Sequence, residues 1–106
     1  MEQNEYIRAG MDALRTQALL DENGPPHIYD ELADFQLVGY AANAMREKLA
    51  LARSRGRGGW WDETECTIEH LRSLLRGHIE KGDMRDVLNL AAMIYVREIA
   101  DLRPNT

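Results

Sequence analysis

A chain of 106 residues, 44% hydrophobic and 29% charged, has the size and composition of one globular domain with a modest core. Its formal net charge of −5 argues against a general duplex-DNA binder, because such proteins are usually basic overall. A single cysteine excludes an intramolecular disulfide, and the first ten residues lack the apolar core of a signal peptide. Since no apolar run is long enough to span a bilayer, the sequence predicts a soluble cytoplasmic protein.

Hydrophobic periodicity predicts two helices in the first half of the chain. Over 5–20, apolar residues recur at helical spacing, and Gly24 with the two prolines after it ends the pattern. Over 29–53, apolar residues form a long stripe on one side of a second helix.

Two further helices are predicted in the second half. The third covers 64–80 and ends at Gly82, which suits a C-cap. Three residues could serve as its N-cap: Asp62, Thr64 and Thr67. The fourth covers 83–102 with Asp83 as N-cap, and its mostly apolar faces predict a central, buried helix. No strand pattern is present, so we expect a single compact all-α domain of about four helices over residues 1–106.

The loop over 53–62, which we call the Arg/Gly/Trp segment, combines arginines, glycines and the only two tryptophans of an acidic chain. Arginine offers paired donors to phosphate, tryptophan stacks on unpaired bases, and glycine lets a backbone approach a ligand closely. This chemistry suits exposed single-stranded nucleic acid or an acidic partner. The candidate binding residues are Arg53, Arg55, Arg57, Trp60 and Trp61, with Arg46 and Lys48 just before them.

A purely structural interpretation of the same segment stays open. One tryptophan could pack into the core, and the arginines could cap the second helix and pair with acidic neighbours. Because adjacent residues point in different directions, we expect one of Trp60 and Trp61 to pack and the other to be exposed.

An enzymatic alternative rests on paired carboxylates. Glu2 and Glu5, followed by Glu31 and Asp34, resemble the ExxE…ExxD arrangement of the MazG-like all-helical nucleotide pyrophosphatases. That resemblance implies carboxylates on facing helices that hold magnesium and hydrolyse a nucleotide. A later acidic group could complete such a set: Glu80, Asp83 and Asp86. Carboxylates at helical spacing are also the usual pattern of a solvated face.

Other motifs give no catalytic, cofactor or metal site. Cys66 and His70 lie four residues apart, but no second Cys/His pair exists to complete a zinc site. The stretch Gly56–Gly59 precedes a predicted helix and could bind an anion there, but it lacks the Lys-Ser/Thr of a phosphate-binding loop. The leading prediction is therefore binding without turnover.

The second half of the chain resembles a recurring module of small phage and prophage proteins. The module has a GRGGW-like turn, a Cys-centred helix start and a KGDxxDVxNxAxM helix. The matching residues here are Gly56, Arg57, Gly58, Gly59, Trp60, Cys66, Lys81, Gly82, Asp83, Asp86, Val87, Asn89, Ala91 and Met93. The resemblance covers 52–98 and implies phage origin without implying a chemistry.

The overall profile, a small acidic helical chain with no catalytic signature, is similar to that of anti-CRISPR proteins, including inhibitors of type I-E complexes. This resemblance implies inhibition by binding in the host cytoplasm, to a subunit of the CRISPR effector complex or to its displaced single-stranded DNA. A phage regulatory module that binds only a host protein is a further possibility. The oligomeric state stays open.

Overall fold

The computed structural model describes residues 3–21, 24 and 26–102. They form four helices and, within these ranges, no strand. The helices are α1 (Gln3–Leu20), α2 (Pro26–Ser54), α3 (Ile68–Lys81) and α4 (Met84–Ala100). The predicted all-α fold of about four helices is confirmed. No helix in the described ranges is both long and apolar enough to cross a membrane.

The chain divides into two compact units, Met1–Ala42 and Asn43–Thr106, and the boundary between them falls within α2. The prediction of one domain over 1–106 stays a prediction.

The first unit contains α1 and the beginning of α2. The Tyr6 and Tyr40 rings meet edge to face with centroids 5.9 Å apart, and the Tyr29 hydroxyl donates to Asp21 at 2.6 Å. Gly10 faces the phenol of Tyr40, where a Cβ would overlap the hydroxyl oxygen. Several large apolar side chains of α2 are exposed to solvent, and Phe35 is the most exposed of them at 79%. Among its described residues, this unit therefore has contacts between aromatic side chains but little buried core.

The second unit is built on the close packing of α3 against α4. Its core is formed by Leu71 of α3 with Leu90 and Ile94 of α4. Four partly buried side chains pack against this core: Trp60, Cys66, Leu75 and Met93. A residue of the Arg/Gly/Trp segment is thus part of the core that holds the two helices together.

Capping residues explain where α3 begins and ends. Thr67 is its N-cap, and the Thr67 hydroxyl accepts the His70 N–H at 3.1 Å. The predicted start at residue 64 was wrong because Asp62 organises the preceding turn. Its carboxylate accepts the Thr64 N–H at 3.0 Å and its carbonyl accepts the Cys66 N–H at 2.8 Å. At the other end Gly82 is the C-cap in the left-handed region, with φ of 84°.

Helix α4 is less buried than its composition predicts. Asp83 is its N-cap, as predicted, and accepts the Arg85 N–H at 3.1 Å. One face is buried through Asn89, Leu90, Ile94 and Arg97, whereas Tyr95 is 66% exposed. The expectation of a helix buried on most faces was wrong for the described residues. The mostly apolar run of α4 extends beyond the single face that α3 covers.

Candidate nucleic-acid interface

The Arg/Gly/Trp segment begins with a tight termination of α2. Gly56 has φ of 76°, a conformation that glycine adopts without strain, and its N–H donates to the Arg53 carbonyl at 3.0 Å. The next N–H, that of Arg57, donates to the Ala52 carbonyl at 2.9 Å. This pair of bonds is a Schellman motif. It sets the directions of Arg55 and Arg57, which flank the turn.

A second attachment holds the end of the segment to α4. Arg97 is only 2% exposed, and its Nη1 donates to the carbonyls of Trp60 at 2.6 Å and Cys66 at 2.8 Å. Its Nη2 donates to the Glu63 carboxylate at 2.6 Å, and its Nε donates to Asp101 at 3.2 Å. Burial alone would lower the pKa of Arg97, but the hydrogen bonds to Glu63 and Asp101 outweigh it and raise that pKa above its usual value. The charged guanidinium therefore holds the loop against α4 through hydrogen bonds to Trp60, Glu63 and Cys66.

The two tryptophans have different environments. Trp60 is half-buried and packs against the core of Leu71, Leu90 and Ile94. Trp61 is 68% exposed. The expectation that one would pack and the other would be exposed is confirmed, and the structure assigns the exposed indole to Trp61.

Trp61 lies at a cavity of about 540 Å³, which we call the aromatic cavity. Its polar lining includes Arg53, Arg57 and His70, and Leu74 contributes to its apolar wall together with core residues. Binding pockets for small molecules commonly have this size and this mixture of aromatic walls with a few polar groups.

A second cavity of about 310 Å³, which we call the basic cavity, is lined by side chains from three helices and the loop. Its polar lining residues are Lys48, Arg55, Arg57, His78, Asp86 and Asn89. Arg57 lines both cavities, so the two adjoin each other at this residue.

The cations of the basic cavity differ in their pairing. The ammonium of Lys48 lies 3.2 Å from a carboxylate oxygen of Asp86 and 3.5 Å from one of Asp83. The side chains of Arg55 and Arg57 make no hydrogen bond or ion pair with another residue in the described ranges. Arg55 and Arg57 therefore supply the positive charge that is available to a ligand.

Two polar groups of residues that line the basic cavity lack a hydrogen-bond partner among the described residues. Asn89 is 6% exposed, and its Nδ2 donates to the Met45 carbonyl at 3.3 Å while its Oδ1 has none. The Nδ1 of His78 is also buried without a hydrogen-bond partner, although it lies 3.5 Å from a carboxylate oxygen of Asp86, within ion-pair distance. A buried polar atom without a partner is costly, which makes Asn89 and His78 candidates for ligand contacts.

Most of the residues predicted from sequence meet at these cavities. Six of them line one or both: Lys48, Arg53, Arg55, Arg57, Trp60 and Trp61. Arg46 lines neither of the two cavities, and its guanidinium lies 3.5 Å from the Asn43 side chain. Sequence reasoning missed Asn89, His78 and Arg97. Asn89 gave one signal, since it is the only polar residue in the run from Val87 to Val96.

The carboxylates of the enzymatic alternative do not gather into a metal centre within the described residues. There, no group of three or more His, Cys, Asp or Glu side chains could hold a metal ion. Glu31 and Asp34 are both exposed on α2, and Glu2 lies outside the described residues. Cys66 is a free thiol. The pyrophosphatase alternative stays a prediction without an observation that favours it.

A wider cavity of about 730 Å³ lies in the first unit, between the end of α1 and Tyr29. Its lining includes Asp12 and Asp21 but no basic side chain among the described residues. It therefore lacks the combination of cations and aromatic rings found in the second unit.

Comparison with known proteins gives no indication of function, so the proposed function rests on the two cavities. No protein-family model, curated protein or solved structure matches this sequence significantly.

Proposed function

We propose that the protein inhibits a bacterial defence complex by binding, without turnover, and that the Arg/Gly/Trp segment binds exposed single-stranded nucleic acid. The observation that supports this most is the convergence of Trp61, Arg55 and Arg57 on two adjoining cavities. The segment is held at one end by the Schellman motif after α2 and at the other by Arg97. A fixed loop loses little conformational freedom on binding.

A single strand suits this surface better than a duplex does. An exposed indole can stack on an unpaired base, whereas the faces of paired bases are hidden inside a duplex. The net charge of −5 disfavours broad contact with a polyanion, but Arg55 and Arg57, whose side chains have no partner among the described residues, can neutralise two phosphates locally.

The biological setting of the proposal comes from sequence resemblance. The profile is similar to that of anti-CRISPR proteins, so the proposed target is the displaced single-stranded DNA of a CRISPR effector complex in the host cytoplasm. If the same segment binds a subunit of that complex, inhibition would persist without affinity for free DNA.

The proposal is tested with the double variant Arg55→Ala, Arg57→Ala. Each lost charge-assisted contact is worth about 1.5 kcal/mol or more, so the loss of two should weaken binding of a single-stranded oligonucleotide by about a hundredfold or more. Circular dichroism should stay unchanged, because neither side chain is paired with another described residue.

A matched control removes two arginines from α3 of the same unit, Arg72→Ala with Arg76→Ala. Neither residue lines the aromatic or the basic cavity, so this variant should bind and inhibit like the parent. Equal behaviour of the two double variants in binding and in inhibition would refute the proposal.

A further inference from the structure

The aromatic and basic cavities share more than one lining residue. Besides Arg57, they share the apolar side chains of Leu49, Ala52, Leu90 and Met93. The two cavities are therefore adjacent, which suits a ligand with two chemically different parts. One part would meet an indole and apolar walls, and the other would meet cations.

The lining of the basic cavity suits an anion that also carries a hydrogen-bond donor. Arg55 and Arg57 offer guanidinium donors that match the geometry of phosphate. The Oδ1 of Asn89, which has no partner in the described part of the chain, can only accept a hydrogen bond. A fully ionised phosphate has no hydrogen to give, so a ligand that donates directly to Asn89 must do so through another group. A sugar hydroxyl is such a group.

The aromatic cavity supplies a place for a flat ring. Trp61 presents an exposed indole there, and the apolar walls exclude water from one side of a bound base. Its volume of about 540 Å³, next to about 310 Å³ in the basic cavity, is enough for a small molecule.

Building on the proposed function, we infer that the two cavities form a site for one nucleoside monophosphate unit with a free sugar hydroxyl. The phosphate lies against Arg55 and Arg57, the hydroxyl donates to Asn89, and the base stacks on Trp61. Two deoxyribonucleotide sources carry this chemistry: a free nucleotide and the 3′-terminal residue of a DNA strand. An internal DNA residue has no free sugar hydroxyl, so a displaced strand would keep the phosphate and stacking contacts, lack the bond to Asn89, and bind more weakly than a 3′ end.

The inference is tested by calorimetric titration with thymidine 5′-monophosphate, its 3′-deoxy analogue and thymidine. We expect the monophosphate to bind at least tenfold more tightly than either of the other two, because each lacks one of the two polar groups. Equal binding of the monophosphate and its 3′-deoxy analogue would overturn the inference, since Asn89 would then receive nothing from the sugar.

Two variants of the loop separate the phosphate contact from general loss of charge. Of these two cavities, Arg55 lines the basic one alone and Arg53 lines the aromatic one alone. Arg55→Gln should weaken binding of the monophosphate about tenfold and leave thymidine unaffected. Arg53→Gln should change both ligands by the same factor. Identical effects of the two variants would contradict the assignment of the phosphate.

Titration of a single-stranded oligothymidylate in parallel distinguishes this inference from the proposed function. Competition between the oligonucleotide and the monophosphate would support both. Binding of the oligonucleotide alone would overturn the inference and leave the proposed function standing. Binding of the monophosphate alone would support the inference with a free nucleotide as ligand and count against strand binding. If neither binds, both are wrong.

Discussion

Arg97 illustrates how one buried side chain can fix a loop that has little regular structure. Its guanidinium reaches two loop carbonyls, those of Trp60 and Cys66, as well as the Glu63 carboxylate. These bonds hold the residues between Gly59 and α3 against α4. A backbone held in this way can present Trp61 in one orientation.

Replacement of Arg97 should therefore loosen the loop and destabilise the second unit. Arg97→Met keeps an apolar stem but removes every donor, leaving the carbonyls of Trp60 and Cys66 without this partner. We expect a lower melting temperature and faster amide hydrogen exchange over 59–66. The matched control is Arg72→Met, which breaks a surface pair with Glu98 at 3.0 Å and should cost no more than about 1 kcal/mol. Equal melting temperatures for the two variants would contradict this role of Arg97.

The two tryptophans predict opposite responses to truncation. Trp60→Ala opens a hole beside the core and should lower the free energy of unfolding by about 3 kcal/mol. Trp61→Ala removes an exposed ring and should change that free energy by less than about 0.5 kcal/mol. The same Trp61→Ala change should weaken binding of a single strand by about 1–3 kcal/mol through lost stacking. Chemical denaturation measures the two free energies of unfolding, and titration with a single strand measures the loss of affinity. A Trp60→Ala protein with the free energy of unfolding of the parent would refute the assignment of Trp60 to the core.

For single residues, the sequence predicted that the two tryptophans would differ in burial, because adjacent side chains point in different directions. It could not predict which one packs, since that depends on how Arg97 fixes the Trp60 carbonyl across 37 residues. Arg97 itself looks ordinary in sequence, as a polar residue after an apolar run.

Two glycines of the second unit predict opposite effects of alanine. Gly82 has φ of 84° at the C-cap of α3, so Gly82→Ala should lower the free energy of unfolding by about 1 kcal/mol. Gly77 lies inside α3 with nothing within 4 Å of an added Cβ, so Gly77→Ala should raise it by about 0.5–1 kcal/mol. Thermal unfolding of both variants gives the sign of each change in the free energy of unfolding. Changes of the same sign in the two variants would contradict the C-cap geometry.

The N-cap of α4 predicts a dependence of stability on acid. The hydrogen bond from the Arg85 side chain, helped by the Arg85 N–H and the charges of Arg85 and Lys48, lowers the pKa of Asp83 from 3.8 to about 2. The unfolded chain therefore binds this proton more readily, so Asp83 stabilises the fold fully above pH 3.8 and loses this contribution as pH falls to about 2.

Asp83→Asn isolates this effect, because asparagine can still cap α4 but has no charge to titrate. The difference in free energy of unfolding between the parent and the variant should shrink as pH falls from 3.8 to about 2. Urea denaturation across that interval measures it. A difference that does not change with pH would show that the charge of Asp83 contributes nothing to stability.

Helix boundaries followed local chemistry where it was unambiguous. The residues Gly82 and Asp83 were predicted as caps and serve as caps. The start of α3 was misplaced because three residues competed as N-cap, and Asp62 uses its side chain for a turn at Thr64. Only the tertiary position of the loop decides such a competition.

At the scale of the whole molecule, charge is segregated on an acidic chain. The basic residues near the Arg/Gly/Trp segment were visible in the sequence, and most of them line the two cavities. The cavities themselves could not be predicted. They need Lys48 of α2, His78 of α3 and Asn89 of α4 to meet, and no spacing in the sequence encodes that meeting.

The most direct test of the proposed function is a titration of single-stranded and duplex oligonucleotides of mixed sequence at two salt concentrations, with tryptophan fluorescence recorded in parallel. We predict binding of the single strand with quenching that is lost in Trp61→Phe. Each phosphate contact should contribute about −0.7 to the slope of log affinity against log salt, hence about −1.4 for Arg55 and Arg57 together. Absence of binding, or binding of the duplex with equal affinity, would contradict the account.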